Sequence, residues 1–298
     1  MTVTNIDIGR IGLWTGILDQ LPSSQAVKWA SEAESLGYGA IWIPETVGRD
    51  PFITSSLLLG GTAELRVATG IANIYARDPM TMANTQRSLE EAFPGRFLLG
   101  LGVSHHTLVN WVRKHDYSKP LSYMRDYLAA MDKALFRAVG PEERPETVLA
   151  ALGPKMLELS ADAAAGAHPY FVPPEHTAIA REAIGADARL YPEQMVILDA
   201  DPESARALAR KNMAVYLGLP NYSNNLKRLG FGDDELTPEN PSDRVVDAIV
   251  AWGGVDACAA RVEEHFAAGA DHVCVQVLAD EPTGVLEGWR ELAPALLG

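Results

Sequence analysis

The stretch Ala68-Thr69-Gly70-Ile71-Ala72-Asn73-Ile74-Tyr75-Ala76-Arg77-Asp78-Pro79 carries a buried apolar run straight into the start of a helix. Val67, Ala68 and Ile71 read as strand. Asp78 suits an N-cap, and Pro79 suits the first helical position, where its missing N–H costs nothing. A strand that leads into a helix in this way is the unit of a parallel α/β protein. Ligands of such proteins sit where the carboxyl ends of the strands open onto helix N-termini.

The same alternation runs in both directions from this segment. Strands are predicted at Ile8–Trp14, Ala40–Pro44, Leu65–Ile71, Arg96–Gly102, Thr147–Leu152, His168–Val172, Gln194–Leu198 and His272–Leu278. Helices follow them from Ser23 or Ser24 to a Gly37 stop, from Pro51, from Pro79, over Leu121–Val139, and from Pro154, Pro174, Pro202 and Gly284. Runs such as Phe97-Leu98-Leu99 and Met195-Val196-Ile197-Leu198 are apolar on consecutive residues, so both faces of the sheet are covered. Eight strand-helix units in 298 residues point to a closed (β/α)8 TIM barrel, which takes about 250 residues. An open doubly wound sheet is the alternative. Beyond the seventh strand, residues 218–268 break the rhythm, with Pro220–Asn225 followed by helical stretches at Val245–Trp252 and Ala257–Ala268. They read as an insertion within a single domain spanning 1–298.

With 47% hydrophobic and 21% charged residues, the chain has material for a large core and too little charge for disorder. The net charge of −14 argues against a nucleic-acid partner, which needs clustered Lys and Arg. Cys258 and Cys274 form no CxxC motif, which fits a reducing cytosol. Met1–Arg10 shows no leader pattern, and no apolar run is long enough to cross a membrane. The expectation is therefore a cytoplasmic protein with no membrane partner. No metal constellation is present, and neither is a GxSxG nucleophile elbow.

The strings GRDPF (48–52), ATGIANIYARDP (68–79), GRFLLGLGVSH (95–105), AALGPKMLEL (150–159) and GADHVCVQVL (269–278) together resemble the luciferase-like monooxygenase superfamily. The nearest resemblance is to its branch that uses the deazaflavin coenzyme F420, and it spans nearly the whole chain. It implies a cis peptide bond between Gly70 and Ile71, forming a bulge against the deazaflavin ring and placing Ala72 and Asn73 at the cofactor. It also implies that Gly102, Val103 and Ser104 line the ring and ribityl region, with His105 as a catalytic candidate. The Gly153-Pro154-Lys155-Met156 turn would lie at the phosphate and glutamyl tail. There, a helix N-terminus beside a lysine makes a serviceable anion cradle, or else an ordinary strand-to-helix turn.

In the sugar-phosphate dehydrogenases of this branch, an acidic residue after the second strand is followed by a histidine base. This chain keeps the acid as Glu45 and has Thr46 in place of the histidine, a side chain that holds a carbonyl but accepts no proton at neutral pH. His168, at the sixth strand, is the third catalytic candidate, and it brings the phenol of Tyr170 with it. Gln276 needs a polar partner within an apolar strand, either a ring carbonyl or a core hydrogen bond. The implied function is hydride transfer between F420 and a small organic substrate, performed by a homodimer. The alternatives are an FMN-dependent monooxygenase using reduced flavin and oxygen, or a non-catalytic protein that binds the coenzyme.

Overall fold

The computed structural model describes residues 6–298. Met1–Asn5, part of the stretch read above as lacking a leader, lie outside the described residues. The strands are β1 (Ile11–Trp14), β2 (Ala40–Ile43), β3 (Arg66–Thr69), β4 (Ala72–Asn73), β5 (Phe97–Gly102), β6 (Thr147–Leu149), β7 (Gly166–Ala167), β8 (Arg189–Leu190), β9 (Glu193–Ile197), β10 (Val250–Trp252) and β11 (Val273–Val277). The helices are α1 (Ser23–Leu36), α2 (Pro51–Gly60), α3 (Pro79–Ala92), α4 (Pro120–Asp132), α5 (Pro154–Ala163), α6 (Pro174–Ile184), α7 (Pro202–Leu217), α8 (Pro220–Arg228), α9 (Asp243–Ile249), α10 (Val255–Ala267) and α11 (Pro282–Leu297).

Every strand pairing is parallel, in the order β10-β9-β11-β1-β2-β3-β5-β6-β7-β8, with β4 beside β5. The sheet curls round, and Arg189–Ile197 joins its two ends. On one edge of that segment, the N–H groups of Arg189, Tyr191 and Glu193 donate to the carbonyls of Ala165, Ala167 and Pro169. On the other edge, Leu190, Pro192 and Val196 accept from Asp271, Cys274 and Leu278. Helices cover the outside, so strands such as β5 and β9 are buried along their whole length, as the apolar runs Phe97–Leu99 and Met195–Ile197 within them require.

The cap chemistry read from the sequence holds at α3, where Asp78 accepts from the N–H groups of Met80 and Thr81 and Pro79 opens the helix. Gly37 ends α1 with φ 95°, a left-handed position that glycine adopts without Cβ conflict. Helix α1, however, starts at Ser23 itself, after Pro22, and no side chain caps it.

Three boundaries differ from expectation. Helix α4 stops at Asp132 and leaves Leu135 and Val139 exposed, because Arg87 takes the carbonyls of Met131 and Ala134 that further helical turns would need. The sixth strand is only Gly166–Ala167. Pro169 has no N–H to donate to a ladder, and Phe171 has φ 61°, so His168–Val172 leaves the sheet. In the stretch expected as helix over Val245–Trp252, the helix ends at Ile249 and Val250–Trp252 pairs with β9. The three-residue run Val250-Ala251-Trp252 suits a strand added to an existing edge. Residues 218–268 thus supply α8, α9, β10 and α10.

Two buried histidines tie the layers together. His272 accepts from Trp42 Nε1 (3.0 Å) and donates through Nδ1 to the Gly9 carbonyl (2.8 Å). His265 accepts from the Thr177 hydroxyl (2.7 Å) and donates to Gln194 Oε1 (2.9 Å). Burial pushes His272 down to about 4 and His265 to about 3, from an ordinary value of 6.5. Both stay neutral in the fold. Once pH drops below 6.5, the unfolded chain binds protons that the fold refuses, so the stability these bonds bring is whole above 6.5 and is lost as pH falls toward 4. The pair should contribute a slope of about 2.7 kcal/mol per pH unit near pH 5. In urea unfolding, His265→Gln should lower the slope of stability against pH by about 1.4 kcal/mol per pH unit near pH 5 relative to the parent; an unaltered slope in the variant would refute the assignment.

Candidate functional site

The peptide bond between Gly70 and Ile71 is cis. It lies where β3 ends and β4 begins, and three hydrogen bonds hold it. Gly70 N–H donates to the Ile43 carbonyl (2.8 Å), Trp14 Nε1 donates to the Gly70 carbonyl (3.0 Å), and Glu45 N–H donates to the Ile71 carbonyl (3.1 Å). On the neighbouring strand, Thr69 Oγ1 donates to the Gly100 carbonyl (2.7 Å) and accepts from the Gly100 N–H (2.9 Å). A Cβ on Gly100 would overlap the Thr69 carbonyl, and one on Gly102 would overlap the Ile71 side chain. Both glycines are there because the bulge fills the space a side chain would take.

The bulge forms part of the wall of a cavity of about 410 Å³ at the carboxyl ends of the strands, a volume typical of small-molecule sites. Glu45, Thr46, Gly70, Ile71, Gly102, Val103, Ser104, His105, Gly153, Met156 and His168 all line it. These residues come from five segments that are far apart in sequence. Ala72 and Asn73 are buried in β4 behind the wall, and Pro154 and Lys155 are exposed, so these four lie outside the lining.

Glu45 is held tightly. Its carboxylate accepts from the Asn73 N–H (2.7 Å), from Arg77 through both oxygens (2.8 and 2.9 Å) and from Arg113 (3.4 Å), and its side chain is only 6% exposed. Arg77 is spent on Glu45 and Asp50. A carboxylate gripped by four donors anchors the loop, and the bidentate fork fixes its orientation.

His168 is fully buried, stacks on Trp42 (4.4 Å, 19°), and donates through Nδ1 to the Tyr191 carbonyl (2.7 Å). That bond sets the tautomer and leaves Nε2 as a lone pair, which has no protein partner. It lies near the bulge: a Cβ built on Gly70 would be 3.1 Å from it. Burial pushes this imidazole down to about 4, so it is neutral at pH 7. His105 lies at the cavity rim, with Nδ1 3.2 Å from Asn221 Oδ1 and its ring 5.5 Å from that of Tyr222. Desolvation lowers it as well.

The sequence reading missed Trp14, Tyr117, Tyr216, Asn221, Tyr222, Asn224 and Arg228, which also line the cavity. Trp14 could have been found as the last residue of the first strand. The others sit on α7, α8 or loops, where nothing local marks a side chain as inward. Arg228 is the cation brought to the Gly153 edge, since a Cβ on Gly153 would be 3.6 Å from its Nη2. Lys155, at the turn expected to supply that charge, faces outward.

Residues 12–272 match the sequence profile of the luciferase-like monooxygenase family. The chain belongs to that family. This luciferase-like protein is therefore an enzyme by membership. It is 27% identical over 272 residues to an uncharacterised protein of Mycobacterium tuberculosis, covering 77% of this chain and 78% of the other. It is 25% identical over 312 residues to 5,10-methylenetetrahydromethanopterin reductase of Methanolobus tindarius, covering 90% and 94%. Among solved structures, an F420-dependent secondary alcohol dehydrogenase in complex with an F420-acetone adduct superposes with a TM-score of 0.76 at 13% identity, covering 97% of this chain and 99% of the other. The oxygenating constituent of 3,6-diketocamphane monooxygenase from Pseudomonas putida, in complex with FMN, gives 0.68 at 15% identity, covering 97% and 98%. At such identities these two show the shared fold.

The clamp on the bulge can be tested directly. Trp14→Phe keeps the ring and removes the donor, leaving the Gly70 carbonyl buried without a partner. The variant should lose about 1–3 kcal/mol in urea unfolding, and a stability equal to the parent's would mean that the indole N–H does not hold the bulge.

Proposed function

We propose that this enzyme transfers a hydride between coenzyme F420 and a small organic substrate held on the free face of the deazaflavin ring. The single observation carrying this reading is the cavity of about 410 Å³ at the carboxyl ends of the strands, with Ile71 on its wall. It stands at the strand end where the family resemblance expected support for a flat ring. Two further features fit such a guest. The buried Nε2 of His168 lacks a protein partner beside the bulge, and the space at Gly102 is given over to the Ile71 side chain.

The ring would rest on Ile71, with Gly102, Val103, Ser104 and Thr46 around it. Arg228 and the start of α5 at Gly153 would take the anionic part, Met156 packing beside them. The coenzyme, when bound, supplies the hydride donor or acceptor centre. The protein supplies orientation, exclusion of water and a proton path.

His168 serves as a fixed hydrogen-bond acceptor, because a group pushed down to about 4 holds no proton at neutral pH. Glu45, saturated by its arginines, holds the loop. Proton movement falls to His105, whose Nδ1 is engaged by Asn221 and whose position at the rim lets it exchange with water. We read residues 218–268 as an addition after the seventh strand of an eight-stranded barrel, within one domain over 1–298. A cytoplasmic homodimer is part of the same reading, and the apolar side chains Ile53, Leu57 and Met80, exposed on α2 and α3, support a partner surface.

The deciding experiment is anaerobic titration of the purified protein with F420 and, separately, with FMN. Micromolar affinity for F420 is expected; tight FMN binding with none for F420 would replace this reading with a flavin monooxygenase. His105→Gln should cut turnover by about 10²–10⁴-fold. It should also abolish the limb of the pH profile that titrates below pH 6.5, while coenzyme affinity stays within about threefold. Retained affinity with no turnover in the parent protein would point to a storage role.

A further inference from the structure

Two side chains on one wall of the cavity and a third outside its lining form a hydrogen-bonded row. Tyr170 Oη lies 2.9 Å from Gln276 Oε1 and 2.7 Å from Tyr216 Oη, and both tyrosines line the cavity. This gives Gln276 the partner its strand demanded, and the partner is a phenol. Tyr170 has one proton to give. If it goes to Gln276 Oε1, which only accepts, Tyr216 must be the donor to Tyr170. The Tyr216 oxygen then has a lone pair left for a guest and no proton to offer it.

The row can also run the other way. Rotating the Gln276 amide by 180° exchanges its oxygen for an N–H donor. Tyr170 then accepts from the amide and donates to Tyr216, whose own proton is free for a guest. A chain of two hydroxyls ended by an amide is therefore reversible, as one ended by a carboxylate is not. Burial keeps both phenols protonated, Tyr216 pushed up to about 12 and Tyr170 well above its ordinary value, so the row carries protons and no charge.

The charges around the cavity narrow the guest further. Among the described residues, the charged side chains lining it are Glu45, already saturated by Arg77 and Arg113, and Arg228 at the Gly153 edge. If Arg228 meets the anionic coenzyme, no cation remains for the substrate, while Trp14, Leu108 and Tyr222 offer it an apolar surround. A charged substrate would be left desolvated without a partner, which is costly.

The geometry points to Tyr216, backed by Tyr170 and Gln276, as the subsite for the oxygen of an uncharged alcohol or ketone: it accepts from the alcohol and, with the Gln276 amide turned over, donates to the ketone. This assignment rests on the function proposed above and adds its substrate class. Tyr216 is the contact residue, and Tyr170 and Gln276 are positioning residues that act through it.

The test uses three probes of one shape, cyclohexanol, cyclohexanone and cyclohexyl phosphate, titrated calorimetrically into the full-length protein with and without coenzyme. With coenzyme bound and Arg228 engaged by it, the two neutral probes should bind at least about tenfold more tightly than the phosphate ester. Tyr216→Phe should weaken both by about tenfold, the effect of one hydrogen bond, and leave coenzyme affinity within about twofold. Gln276→Glu, measured above the pH at which its carboxyl ionises, fixes the row in its accepting direction. Cyclohexanol should then be retained and cyclohexanone lost, a split that a merely structural role would not produce. Unchanged neutral-probe binding in Tyr216→Phe, tighter binding of the phosphate ester to the coenzyme-loaded protein, or an equal shift of both neutral probes in Gln276→Glu would overturn the proposal. Tyr216→Phe decides the matter by itself if the acidic variant does not fold. Failure of the functional reading appears separately, as an absence of coenzyme binding, and the coenzyme-free titrations still judge the subsite.

Discussion

The bond from the Trp14 indole to the Gly70 carbonyl is the contact on which the rest of the site depends. It joins the end of the first strand to the end of the third and, with the N–H groups of Glu45 and Gly70, satisfies the Gly70 N–H, the Gly70 carbonyl and the Ile71 carbonyl. A buried carbonyl must find a donor. Here the donors come from side chain and loop, because the chain has left the regular ladder. Gly100 and Gly102 follow from it, since the neighbouring strand can pass the bulge only without side chains at those positions.

From that contact the site spreads in two chemically different directions. Toward the second strand lies a charged knot, Glu45 with Arg77, Arg113 and Asp50, in which the ions satisfy one another and rigidify the loop. Toward the sixth and last strands lies a neutral side: His168 on Trp42, and the phenols of Tyr170 and Tyr216 with Gln276. Its polar atoms are held uncharged by burial and aimed by hydrogen bonds, as expected of a site that recognises oxygen atoms in an apolar setting. The aromatic contact of Trp14 with Tyr170, 4.7 Å between rings, joins this side to the bulge.

Much of this was legible in the chain. Consecutive apolar residues gave covered parallel strands and Asp78-Pro79 gave a helix start, because these signals are local and each rests on a few adjacent residues; the bulge at Gly70-Ile71 came only from the family resemblance. Less legible was the sixth strand, where the left-handed Phe171 turns His168 and Tyr170 out of the ladder. The charge at the Gly153 edge was read as Lys155 because it is adjacent in sequence. Arg228 arrives there instead, on a helix more than seventy residues later.

The sequence by itself determined the alternation of strand and helix, the Asp78 cap and the Gly37 stop, and the glycines that let a bulge form, since periodicity, φ preference and the absence of a Cβ are properties of short segments. Only the tertiary structure decided which side chains share the cavity, which tautomer His168 adopts, that Glu45 is spent on arginines, and that Gln276 meets a tyrosine. Those outcomes depend on which atoms of distant segments come within hydrogen-bonding distance, and a strand's own residues do not specify what will lie across from it once the sheet has curled.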